Sequence, residues 1–268
     1  MFKDITIGQY FPGESAVHKY DPRLKIITMV LFIITLFFIK SMYLYIPIVF
    51  YLVLVIAVAK LPIKMVFKGL RPLRWIILIT FIINLVFTPG EEIFRVWKIP
   101  ITDQGLNTAL LMGIRLILLV LGTSILTYTT SPIELTDGIE ALLNPLRKIG
   151  VPSHEIAMMM TIALRFIPTL IEETDKIIKA QMVRGADFES GNLIRRAKNL
   201  VPLLVPLFIN SFRRAEELAT AMEARCYRGG EGRTKMNELK ILNSDRILFI
   251  GNIIFYMVIV VVSRIWIS

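Results

Sequence analysis

The chain has 268 residues, 55% of them hydrophobic, with a mean hydropathy of +0.64, a formal net charge of +10 and a sequence pI of about 9.8. A soluble domain is nearer half apolar, so this composition points to an integral membrane protein. Its basic residues flank apolar runs, which the positive-inside rule explains more simply than a nucleic-acid partner. A single cysteine, Cys226, excludes an intrachain disulfide and a cysteine-built metal cluster, and the two histidines, His18 and His154, lie far apart without ligand-like spacing.

Residues 1–25 are polar and lack the apolar core of a signal peptide, so the first apolar run is expected to stay as an anchor. That run, 24–39, is the first predicted span. Its uncharged core is short, so Lys25 and Lys40 are expected to snorkel to the interfaces. Residues 42–59 form a second, charge-free run, and the few residues between the two predict a helical hairpin. Lys60, Lys64, Lys68, Arg71 and Arg74 follow with no acidic residue among them, which places this loop in the cytoplasm. Residues 72–88 are the third span, opening on Pro72, whose missing N–H costs nothing in a first turn. The loop 89–104 sets Glu91, Glu92 and Asp103 against Arg95 and Lys98 and is expected outside. Residues 106–130 are the fourth span and contain Arg115.

Ser131-Pro132-Ile133-Glu134 has the capping-box arrangement and predicts a helix ending near Gly150. Ser153 is the expected N-cap of a long helix that reaches Arg184, with a kink at Pro168. Gly185 and Gly191 bracket a polar turn. A second long helix, with Pro202 and Pro206 near its start, runs to Arg225 and is ended by Gly229, Gly230 and Gly232. Residues 247–263 are the last span, with Arg264 and Trp266 as interface anchors. The predicted fold is therefore all-α and polytopic, with about five to six transmembrane helices and two long cytoplasmic helices. The apolar starts of the long helices, 156–171 and 200–212, are the source of the uncertainty in the count. Three segments result: 1–130 with the first four spans, 131–245 with the long helices, and 246–268 with the last span. The N-terminus and the long helices fall on the cytoplasmic side of a multi-pass cell-membrane protein.

The two long helices share one order. Each starts apolar, passes a charged cluster (Glu172, Glu173, Asp175 and Lys176 in one; Arg213, Arg214, Glu216 and Glu217 in the other), then Ala180 or Ala221, then Arg184 or Arg225. Helix-end electrostatics explains either Arg alone, since cations favour a helix C-terminus. It does not explain the repeated order. If the helices cross or run antiparallel, the two Arg residues lie tens of Å apart and suit a two-subunit partner.

At these residues the chain resembles the transmembrane T component of energy-coupling factor (ECF) transporters, the EcfT/CbiQ-type family of ABC importers for vitamins and transition metals. The resemblance covers nearly the whole chain, including Asp21-Pro22-Arg23 before the first span and Arg-Gly-Ala-Asp-Phe at 184–188. It implies that two cytoplasmic coupling helices each end in an Ala-Arg-Gly-like triplet, here Val183-Arg184-Gly185 and Ala224-Arg225-Cys226. Each triplet docks on one of two ABC ATPase subunits, and the same helices carry an exchangeable substrate-binding S component. Val183 and Cys226 depart from the family triplet, which leaves the docking role better supported than the backbone geometry. The chain itself would do no chemistry and bind no cofactor, ATP being bound by the partners. Nucleic acid is not an expected partner; the bilayer is. Pro168, Gly185, Gly191, Pro202 and Pro206 are the hinge candidates.

Other features are weighed more plainly. Arg115 within a span is a functional candidate by default, but a structural Arg bonded to helix-end carbonyls or to Asn84 is the favoured reading. Glu134, Asp137 and Glu140 share a face with no His or Cys near in sequence, so a solvated interfacial face is expected over acid–base chemistry. Met158-Met159-Met160 is expected in core packing. The stretch 229–235 lacks the order of a phosphate loop. An ordinary ABC permease is the alternative function. It predicts a polar groove among the spans, which offer little beyond Asn84, Arg115 and the Thr/Ser cluster at 123–130. A membrane enzyme is the other rival.

Overall fold

A computed structural model describes residues 10–96, 99–186, 188, 193–230 and 239–265. It divides into two compact units, one comprising Gln9–Gly138 with Leu239–Ser268 and the other built on Ile139–Glu238. The predicted hinge Gly191, the stretch 231–235 and the anchor Trp266 lie outside the described residues.

The first unit opens on a single helical turn, α1 (Ala16–Lys19), and then α2 (Pro22–Phe38). Asp21 caps α2: its Oδ1 accepts from the Arg23 N–H at 2.9 Å, and Pro22 takes the first helical position. Arg23 turns back to pair with Asp21 at 2.9 Å and donates to the Leu239 carbonyl at 2.8 Å, which ties the start of α2 to the segment leading into the last helix. A 3-10 turn (Met42–Leu44) joins α2 to α3 (Tyr45–Ala59), the predicted hairpin. The basic stretch expected as a loop contains α4 (Ile63–Lys68) and a 3-10 turn (Arg71–Leu73), and α5 (Arg74–Phe87) covers the third predicted span. Helix α6 (Asp103–Thr129) packs closely along α5 and also against α2, while α10 (Asn243–Ile265) packs on α2. Phe32, Leu36, Ile48, Leu118, Tyr128 and Tyr256 form the centre of the core.

The loop expected at 89–104 contains an antiparallel pair, β1 (Glu92–Val96) and β2 (Ile99–Thr102). Its β-branched and aromatic residues favour extended backbone over coil, and β2 leads into the Thr102 cap of α6, whose hydroxyl accepts from the Gly105 N–H at 3.0 Å. The fold is otherwise all-helical.

Among the described residues five helical stretches are long and apolar enough to cross a membrane: Met42–Ala59, Ile63–Phe87, Asp103–Thr129, Ser153–Val183 and Asn243–Ile265. The set differs from the expected one. Helix α2 has 17 residues, about 25 Å at 1.5 Å per residue against a hydrocarbon core of about 30 Å. The first long helix takes its place in the group. Nor does Lys25 snorkel. It is buried, and its Nζ donates to the carbonyls of His18 and Thr129, both at 3.0 Å, and to the Thr130 hydroxyl at 3.3 Å. Three fixed acceptors, contributed by α1 and the end of α6, replace the water that a snorkelling ammonium would reach.

Helix α7 (Pro132–Leu143) starts with the predicted capping box. The Glu134 N–H donates to Ser131 Oγ at 3.2 Å and the Ser131 N–H to Glu134 Oε2 at 2.9 Å. A 3-10 stretch (Asn144–Ile149) follows and stops at Gly150. The second unit is dominated by α8 (Ser153–Val183) and α9 (Leu193–Ala224). Ser153 is the first residue of α8 and is buried, and Pro152 stands at the N-cap without a side-chain cap, one residue earlier than expected. Helix α9 begins at Leu193. Pro202 and Pro206 are therefore interior positions, because the polar run before them is rich in Arg, Lys and Ala, which propagate a helix readily.

Candidate functional site

The two long helices of the second unit run antiparallel, as their side-chain pairs show. Arg214 pairs with Glu173 and stacks 5.7 Å from the Phe166 ring centroid, while Tyr227 beyond the end of α9 meets Met158 near the start of α8. As the residue number rises along one helix it falls along the other. The C-terminus of α9 thus lies beside the first turns of α8, and Arg184 lies at the far end of α8, about 40 Å away along a helix that rises 1.5 Å per residue.

Both helices end in the same backbone turn. In α8 the Gly185 N–H donates to the Met182 carbonyl at 3.0 Å and the Ala186 N–H to the Gln181 carbonyl at 3.0 Å. In α9 the Cys226 N–H donates to the Glu223 carbonyl at 2.9 Å and the Tyr227 N–H to the Met222 carbonyl at 3.0 Å. These are the paired 5→2 and 6→1 bonds of a Schellman motif. Arg184 and Arg225 hold the identical C-cap position, Val183 and Ala224 the last helical position, and Gly185 and Cys226 the left-handed position that follows, with φ of +87° and +57°. Cys at the glycine position therefore leaves the turn intact, against the changed backbone expected there. All six residues are exposed, Val183 to 90%. Among the described residues neither guanidinium has a hydrogen-bond or ion-pair partner. The two forks project from matched turns at opposite ends of the helix pair, each with an apolar or small neighbour and a tight bend behind it.

Pro168 lies inside α8 and Pro202 and Pro206 inside α9, and both helices continue through them. Each proline leaves the carbonyl four residues earlier without its helical donor. Along α9 the residues Leu200, Val201, Leu204, Val205, Phe208, Ile209 and Phe212 are all exposed and recur at helical spacing, so they form one continuous apolar face through the middle of the helix.

The remaining sequence candidates resolve into structural roles. Arg115 Nη2 donates to the Ile39 carbonyl at the C-cap of α2 at 2.6 Å and Nε to the Tyr45 hydroxyl at 3.2 Å, with Phe37 beneath the guanidinium at 5.6 Å. A helix-end carbonyl is thus its partner, and Asn84 instead donates to Thr80 in its own helix at 2.8 Å. The hydroxyls of Thr123, Thr127 and Thr129 bond back to carbonyls of α6. Met159 and Met160 are exposed, against the expected core packing, and Met158 Sδ accepts from the Tyr227 hydroxyl at 2.9 Å. Of the three acidic residues on α7, Glu134 serves the capping box. Glu140 meets a histidine that sequence distance had hidden, His154 Nδ1 at 3.0 Å.

Comparison with known proteins places the chain in a family. The family model described as CbiQ, "Cobalt transport protein", matches residues 13–236. The chain is 58% identical over 269 residues to the energy-coupling factor transporter transmembrane protein EcfT of Clostridium kluyveri, covering 99% of each chain. It is 56% identical to that of Acidaminococcus fermentans over 91% of each. To that of Bacillus subtilis it is 47% identical over 95% of this chain and 96% of the relative. With several apolar helices and these relatives, the chain is a multi-pass membrane protein and belongs to the CbiQ family, as an EcfT-type transmembrane component of energy-coupling factor transporters.

Proposed function

We infer that this chain is the coupling subunit of an importer, lying in the cell membrane with its N-terminus and α8 and α9 on the cytoplasmic side. It carries out no chemistry and binds no cofactor; ATP belongs to two ABC ATPase subunits. One subunit seats on Val183, Arg184 and Gly185, the other on Ala224, Arg225 and Cys226. An S component, a separate membrane protein that binds a vitamin or related micronutrient, rests on the apolar face of α9.

The observation that carries this reading is the pair of matched Schellman ends about 40 Å apart, each presenting an unpartnered Arg. A guanidinium presents five donors in a rigid fork and so fits a carboxylate-lined groove. Two equal forks at opposite ends of an antiparallel pair suit two ATPases related by a pseudo-twofold axis. The orientation follows from the five cations between Lys60 and Arg74, which no acidic residue offsets. When ATP draws the ATPases together, the two Arg ends move with them and the crossing of α8 and α9 changes. The unpaired carbonyls before Pro168, Pro202 and Pro206, together with the turn at Gly185, are where the change is absorbed. The apolar face then tilts the S component between loading and release.

A photo-crosslinking amino acid tests these contacts in the assembled complex. Placed at Val183 or Ala224, it is expected to capture an ATPase subunit, and placed at Phe212, a membrane partner. Capture of an ATPase from Phe212 but from neither helix end would refute the assignment.

A further inference from the structure

The two Arg-bearing turns match in backbone, but among the described residues they differ in what holds them. A Cβ added to Gly185 would meet nothing within 4 Å. Beyond Arg225, by contrast, the chain folds back on the start of α8. The Tyr227 hydroxyl donates to Met158 Sδ at 2.9 Å and lies 3.5 Å from His154 Nε2. On the other side of the ring, His154 Nδ1 stands 3.0 Å from Glu140 Oε1, with both side chains mostly buried, 21% and 15% exposed. Gly229, at φ +85°, turns the chain so that Gly230 lies against the imidazole, where a Cβ would stand 2.6 Å from Cδ2 and 2.7 Å from Cγ. No side chain fits there without displacing the ring. Glu140, an acceptor, holds the ring proton on Nδ1 and leaves Nε2 an acceptor, so the single Tyr227 hydroxyl proton is shared between Met158 Sδ and His154 Nε2.

We propose that His154 is a positioning residue for Arg225: the chain Glu140–His154–Tyr227, closed by Gly230, clamps the end of α9 to α7 and the first turn of α8. Clamped in this way, the Arg225 fork has one orientation, and its displacement passes directly to α7 and α8. Unclamped, the same displacement would be lost in a loose helix end. Among the described residues the Arg225 end is tied to the rest of its unit by side chains as well as by its own helix. The proposal rests on the reading of Arg225 as a docking residue.

Cys226 supplies the probe, being the chain's one cysteine, exposed, and set between Arg225 and Tyr227. A nitroxide on Cys226 of the full chain in detergent should give an immobilised spectrum. His154→Ala and Gly230→Ala should shift it to a mobile one, and His154→Asn, which can still donate to Glu140, should recover part of the immobilised signal. In unlabelled chain the two loosening variants should retain ATPase about three- to tenfold less well, the loss of one or two hydrogen bonds expressed as affinity. If His154 were only a packing residue, the melting temperature would fall while the label in the folded chain kept its wild-type mobility, and that result would overturn the proposal. Arg225→Glu separates the two ideas. If it leaves ATPase retention intact while the label responds to His154 and Gly230, docking at Arg225 is wrong and the clamp stands. If it weakens retention while the loosening variants match wild type in both assays, the clamp is wrong and docking stands.

Discussion

Cys226 occupies a backbone position that glycine fills in the matching turn, and its Cβ makes φ of +57° costly. Cys226→Gly should therefore stabilise the end of α9 by about 1 kcal/mol, and Gly185→Ala should destabilise the end of α8 by a similar amount. Hydrogen exchange at the amides of 226 and 227 in one case, and of 185 and 186 in the other, reads each effect; equal protection before and after substitution would contradict it. Lys25 makes a second prediction at this scale. Lys25→Met leaves the His18 and Thr129 carbonyls buried without a donor and should cost about 2–4 kcal/mol, seen as a lowered melting temperature in detergent. A snorkelling lysine would tolerate the change. The sequence could not reveal this role, because Lys25 and Thr129 are brought together only by the packing of α2 on α6. The cap at Ser131 was legible for the opposite reason: donor and acceptor sit within three residues of each other.

At the scale of elements, the antiparallel course of α8 and α9 depends on few contacts. Glu173 and Arg214 form the central one, with side chains 21% and 29% exposed and Phe166 beneath the guanidinium. A double-mutant cycle with Glu173→Gln and Arg214→Gln should give a coupling energy of about 1 kcal/mol in thermal unfolding; additive single effects would show that the pair does not hold the helices together. Long apolar and amphipathic runs made the helices legible. Their ends were less so, since α9 extends back through Arg195, Arg196 and Lys198, a run whose charge reads as loop but whose helix propensity is high. The hairpin β1–β2 was missed because a short strand pair leaves little periodic signal among mixed charges. The repeated order of the two long helices pointed to Arg184 and Arg225. Only the hydrogen-bond pattern of their ends shows why Cys can stand where Gly is expected, and His154 and Glu140 gave no sign in the sequence that they would meet.

At the scale of the whole molecule, the antiparallel pair α8 and α9 carries one Arg at each end. The central claim is that these two Arg residues are equivalent seats for two ATPase subunits. The most direct test is retention of the ATPases on the detergent-solubilised complex with Arg184→Glu, Arg225→Glu and the double substitution, each checked first for an unchanged melting temperature. Wild type is expected to hold both ATPases, each single reversal to weaken the complex, and the double reversal to abolish it. Full retention by the double variant would contradict the account and reduce both residues to ordinary helix caps.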